Sequence, residues 1–110
     1  MKLPKDTLIA CEKLSQYLLI PKKRNDKSQW LAEAGFTREN WQALEAALRN
    51  LILSTEAIFV ERIEYGEMYG INGNLVGPNR KTLSVRTLWM TEKATGKTKF
   101  ITMFPNKGGR

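Results

Sequence analysis

The chain has 110 residues, enough for one hydrophobic core and too few for two. Hydrophobic residues at 42% and charged residues at 26% are ordinary globular values, which excludes a disordered, collagen-like or rod-like chain. A net charge of +7 and the complete absence of histidine are the unusual features.

In chain order, the first half carries helical periodicity. Leu14, Tyr17 and Leu18 share one face of a helix around Glu12 to Ile20, which Pro21 stops. A basic loop follows, Lys22-Lys23-Arg24-Asn25, and Asp26 is placed as the N-cap of a short helix carrying Trp30, Leu31 and Ala34. Gly35 supplies a left-handed stop, with Phe36 folding back on the last turn in the Schellman manner. Thr37 opens a third helix, with Asn40 completing an imperfect capping box. Trp41, Leu44, Leu48, Leu51 and Ile52 then recur at the spacing of a buried helical face.

From Ile58 the period shortens to two. Ile58-Phe59-Val60 predicts a strand. Only Asn74 to Val76 separates Asn72-Gly73 from the next turn signal, Gly77-Pro78-Asn79-Arg80. Tyr65 to Val76 is therefore expected to be one bent strand with a bulge near Gly73. Thr82 to Thr91 predicts a long strand with Leu83, Val85, Thr87 and Trp89 on one face. After a turn at Ala94 to Lys97, Phe100, Thr102 and Phe104 alternate with Ile101 and Met103 in a last strand ended by Pro105. The expected fold is α+β, with about three N-terminal helices packed on one face of a three- to four-stranded antiparallel β-meander. It forms a single domain, 1–110, with loosely ordered ends at 1–10 and 106–110. Trp30, Trp41, Leu44 and Leu48 are expected against the sheet.

Composition narrows the chemistry. Without histidine there is no Ser-His-Asp triad, no papain-like Cys-His pair and no two-histidine ribonuclease site. A single cysteine, Cys11, excludes internal disulfides and a cysteine-ligated zinc. No metal site and no cofactor motif is legible, and Gly77-Pro78-Asn79 lacks the spacing of a phosphate-binding P-loop. The start, Met1 to Asp6, lacks the apolar stretch of a signal peptide, and no run approaches the ~18 apolar residues of a membrane span. The expected location is the cytoplasm, with no membrane partner.

The charge is segregated. Residues 1–67 hold ten Lys/Arg and ten Asp/Glu, whereas residues 68–110 hold eight Lys/Arg against Glu92 alone. A one-signed field of this kind attracts polyanions, nucleic acid above all, although a merely solubilising face has the same composition.

Several segments together carry a resemblance. They are Lys13-Leu14, Tyr17-Leu18-Leu19, Lys27, Gly35-Phe36-Thr37-Arg38-Glu39-Asn40-Trp41, Tyr65-Gly66, Tyr69, Gly77-Pro78-Asn79, Val85-Arg86-Thr87-Leu88-Trp89 and Thr102-Met103-Phe104-Pro105. In this order, across residues 10–105, the chain resembles an uncharacterised bacterial domain family, common in cyanobacteria and found as a C-terminal module of polymorphic toxins. That family is similar to the barnase–EndoU–colicin–RelE-like group of ribonucleases and toxins. The resemblance implies N-terminal helices against a four-stranded antiparallel sheet, metal-free RNA cleavage and, for a true toxin, a neutralising antitoxin or immunity protein. Two places depart from the family pattern: Lys22 to Asp26 replaces a glycine-basic stretch, and Arg80 stands where a further glycine is usual.

Cleavage of this kind needs a base for the 2′-hydroxyl, an acid for the leaving 5′-oxygen and cations around the phosphorane. The candidate catalytic residues are Lys27 for phosphate contact or proton transfer, Arg86 as a phosphate clamp and Thr102 as a phosphate or Arg86 hydrogen-bond partner. Tyr69 is a candidate proton donor or base-stacking ring, and Glu67 a candidate general base. Arg80, Lys81, Lys97 and Lys99 are the candidate nucleic-acid contacts. Each also has an ordinary reading: a solvated lysine, a salt-bridged arginine, a strand threonine, a half-buried tyrosine. A non-catalytic module that binds nucleic acid or an acidic protein through the same sheet stays open beside the ribonuclease.

Overall fold

The computed structural model describes residues 2–19 and 27–106. α1 (Cys11–Lys13) passes into a π-helical turn, Leu14–Leu18, closed by the Leu19 N–H donating to the Leu14 carbonyl at 3.0 Å. Leu14 and Leu18 are buried, as the apolar spacing predicts, and so is Leu19. Pro21, the basic loop and the expected Asp26 cap lie outside the described residues.

α2 (Ser28–Ala32) ends as its sequence dictates. Gly35 has φ +90°, Gly35 N–H donates to Ala32 O at 2.9 Å, and Phe36 N–H donates to Leu31 O at 3.1 Å. These are the two bonds of a Schellman motif, and the Phe36 ring is buried. The Thr37–Asn40 capping box is present and opens a 3₁₀ turn, Arg38–Asn40, that runs into α3 (Trp41–Ser54). Leu44, Leu48 and Ile52 of α3 are fully buried. Trp30 and Trp41 are only partly buried at the margin of the core, so the central aromatics are instead Trp89, Phe36 and Phe100.

Four strands follow: β1 (Ile58–Ile63), β2 (Gly66–Val76), β3 (Thr82–Glu92) and β4 (Thr98–Pro105), an antiparallel meander in the order β1-β2-β3-β4. One face meets the helices through Ile71, Leu75, Leu83, Val85, Trp89, Phe100 and Met103. Trp89 stacks edge-on against Phe100 at 5.2 Å, and its Nε1–H donates to Thr87 Oγ1 at 2.7 Å. Thr87 in turn donates to the Ile71 carbonyl at 3.0 Å, so the two buried polar side chains are satisfied in one chain.

The expected bulge at Gly73 is absent. β2 and β3 pair without interruption from Gly66↔Glu92 to Val76↔Thr82. Gly73 serves a contact instead, because a Cβ there would lie 2.6 Å from Leu51 Cδ1 of α3. The irregularities fall elsewhere, between Phe59 and Glu61 of β1 and opposite Leu88/Trp89 in β4. The second has a consequence for chemistry. Trp89 pairs with Phe100 and Leu88 with Thr102, so Ile101 is the extra residue. Phe100 therefore points to the helices, while Thr102 and Phe104 point to the opposite face rather than sharing Phe100's.

The N-terminal stretch, expected to be loosely ordered, is docked. Leu8 bridges Lys99 in parallel, with its N–H on Thr98 O and its carbonyl accepting from Phe100 N–H, each at 2.8 Å. Leu3, Thr7 and Ile9 are buried, and Arg49 of α3 donates to the carbonyls of Lys5 and Thr7. The segment thereby covers part of the β4 edge, which would otherwise be open to another strand.

Candidate nucleic-acid interface

The sheet face away from α3 is built by register. Asn72 lies opposite Arg86, and Arg86 opposite Phe104; Leu88 lies opposite Thr102. Asn72 is exposed, whereas Arg86, Leu88, Thr102 and Phe104 are half-buried. Lys27, just before α2, reaches onto this face from the β4 side. Its Nζ donates to Thr102 Oγ1 at 3.2 Å and sits 5.9 Å from the centroid of the Phe104 ring. α2 is only five residues long, so a helix dipole contributes little here, and it is the Thr102 contact that places the Lys27 charge. Thr102 accepts from Lys27 through its oxygen and keeps its hydroxyl proton for a further acceptor. Arg86 Nη1 donates to Asn72 Oδ1 at 3.2 Å, and among the described residues no carboxylate pairs with it.

Sequence grouped five candidate catalytic residues, and the structure separates them into two sets. Lys27, Thr102 and Arg86 share the far face. Tyr69 pairs with Trp89 and Glu67 with Thr91, which puts both on the helix-side face. There Tyr69 Oη donates to Glu67 Oε1 at 3.1 Å, and Arg62 pairs with Glu67 Oε2 at 2.9 Å. The Arg62 and Tyr69 hydrogen bonds hold the Glu67 carboxyl below the usual carboxylate range. Burial, then the Glu67 carboxylate, pushes the Tyr69 phenol up. Both shifts work against the assigned roles: a carboxylate so held is a weaker base, and it faces away from Arg86.

The four expected nucleic-acid contacts do not form one patch. Arg80 and Lys81 sit exposed at the β2–β3 turn, while Lys97 lies in the β3–β4 turn. About 35 Å of β3 separates these ends, at the usual rise per residue. Lys99 pairs with Glu92 at 2.8 Å, and this bond, followed by one from Thr95, holds the Glu92 carboxyl below its ordinary range. Arg86 and Lys27 fall between the two ends, so the cations make a track along β3 and β4. Asn72, in sequence half of a nominal turn dipeptide, lies on this face beside Arg86.

Among the described residues no three His, Cys, Asp or Glu side chains gather as a metal-binding group, and no helix is long and apolar enough to cross a membrane.

A helix-backed antiparallel meander whose far face carries a lysine, a hydroxyl and an arginine is a small α+β domain. The chain belongs to the family described as Domain of unknown function (DUF6883), which matches residues 2–107. Its fold is similar to a chain of the contact-dependent growth inhibition toxin–immunity protein complex from Klebsiella pneumoniae 342. That match has a TM-score of 0.70 and 16% identity, and covers 94% of this chain and 96% of that one. At this identity the likeness is one of fold. No curated protein matches the chain significantly.

Proposed function

We propose that this chain is a metal-independent ribonuclease-like domain of toxin or toxin-derived type, binding RNA on the far face and cleaving it by 2′-hydroxyl transesterification. One observation carries the proposal: Lys27 and Thr102, 75 positions apart, are hydrogen-bonded on the face that also bears Arg86. In this account the planar Arg86 fork holds non-bridging oxygens of the scissile phosphate. As the 2′-oxygen–phosphorus bond forms and the phosphorus–5′-oxygen bond breaks, Lys27 supplies charge and a proton to the leaving 5′-oxygen. Thr102 orients its ammonium, and the 2′-hydroxyl proton passes to solvent water. Phe104 offers a ring for a neighbouring base. The fold shared with a chain of a toxin–immunity protein complex supports a toxin-type origin. A neutralising partner would then cover the far face with acidic side chains.

A second reading, a non-catalytic nucleic-acid- or acidic-protein-binding module, is favoured by the far-face carboxylate Glu92, which the Lys99 and Thr95 hydrogen bonds make a weak base for the 2′-hydroxyl. Mixed cellular RNA incubated with the protein in EDTA separates the two. Discrete fragments with 2′,3′-cyclic phosphate ends are expected, slowed about 100-fold or more in Lys27→Ala at an unchanged melting temperature. Intact RNA with salt-sensitive binding would leave the module standing, and affinity indifferent to salt would remove nucleic acid from both.

A further inference from the structure

Arginine in the middle of a sheet is usually compensated by a carboxylate. This sheet does so elsewhere, pairing Arg62 with Glu67 and Lys99 with Glu92. Arg86 is treated differently. The residue directly opposite it on β2 is Asn72, whose Oδ1 accepts from Nη1 at 3.2 Å. Diagonal to it lies Gly70, where a Cβ would come within 3.3 Å of Arg86 Nη2 and of Val60 Cγ2. The guanidinium therefore reaches over β2 to the bare backbone at Gly70, steered by an amide. A neutral acceptor fixes the direction of the fork without cancelling its charge, and it occupies one of five N–H donors.

We infer that Asn72 is a positioning residue that holds Arg86 as a prebuilt site for a phosphate-class oxyanion, with Gly70 as its floor. The ligand's identity as an RNA backbone rests on the function proposed above; whether that RNA is cut does not enter. An aspartate at this position would fit the geometry better and pair with Arg86, and for that reason it would spoil the site.

The test is equilibrium binding of a fluorescent 2′-O-methyl RNA oligonucleotide, which cannot be cleaved, at fixed salt. Asn72→Ala should lower affinity about 3-fold and Asn72→Asp at least about 10-fold, the second with an unchanged or raised melting temperature. Asn74→Asp adds the same charge two residues along the same face, where the side chain is exposed, and should cost only about 3-fold. In an Arg86→Ala background the two aspartates should cost the same. Gly70→Ala should weaken binding with folding retained, since the atoms it crowds are the end of the Arg86 side chain and one Val60 methyl, each at 3.3 Å, rather than backbone. Equal losses for Asn72→Asp and Asn74→Asp beside an intact Arg86, or binding by Asn72→Asp as tight as by Asn72→Ala, would overturn the inference. Tight binding by a wild type that leaves ordinary RNA intact would remove the ribonuclease alone. Failure of the wild type to bind the oligonucleotide would remove both.

Discussion

Arg80 occupies a backbone conformation that L side chains avoid, with φ +72° at the β2–β3 turn. Its N–H donates to the Gly77 carbonyl at 2.9 Å, and the neighbouring Asn79 is tied to α2 through Nδ2 to Glu33 O at 2.8 Å. Asn79 Oδ1 also accepts from Lys81 N–H at 3.0 Å, so the surrounding bonds impose the left-handed geometry. The turn thus takes a geometry that favours glycine and holds it with an arginine. A non-glycine residue in this region costs about 1–2 kcal/mol, partly offset by the extra freedom glycine has when unfolded. Arg80→Gly should therefore raise stability by about 0.5–1 kcal/mol in urea unfolding. A loss of stability would mean that the arginine side chain contributes to the turn.

Between elements, the contact of α3 with β2 depends on Gly73 lying beneath Leu51. Gly73→Ala should destabilise by about 1–3 kcal/mol through overpacking, and Leu51→Ala by about 2–5 kcal/mol through a cavity. The double variant should cost less than the sum, because the added methyl enters the space the leucine leaves. Strict additivity would place the strain elsewhere. At this scale much of the fold is legible in the sequence, because its signals are local. The Gly35-Phe36 stop, the Thr37–Asn40 box, the periodicity of α3 and the turn at Gly77 to Arg80 each depend on a few consecutive residues. Face assignment is not local. Tyr69 and Glu67 look like partners of Arg86 until Tyr69 is set opposite Trp89 and Asn72 opposite Arg86. The short connection from Gly77 to Lys81 contains that register, and carrying it down both strands would have found Asn72. The extra residue at Ile101 carries no comparable signal, and neither does the docking of Leu8 on Lys99, since both are settled by long-range pairing.

Across the whole molecule, Arg80, Lys81, Arg86, Lys97 and Lys99, cations on and beside the last two strands, spread along β3 and β4 rather than forming one cluster. Arg80 and Lys81 mark one end of the track and Lys97 the other, with Arg86 and Lys27 between them. A track of this length suits a polyanion that runs along the sheet more than a single small anion. The two faces differ sharply. One carries Lys27, Thr102, Arg86 and Asn72; the other carries Tyr69, Glu67 and Arg62 in a self-satisfied set. In the proposed function, RNA chemistry belongs to the first face alone. The most direct measurement is the RNA cleavage rate of Arg86→Ala beside Tyr69→Phe, with melting temperatures to confirm folding. Arg86→Ala is expected to lose about 100-fold or more, and Tyr69→Phe to keep the wild-type rate. Cleavage lost in folded Tyr69→Phe, or retained in Arg86→Ala, would contradict that assignment.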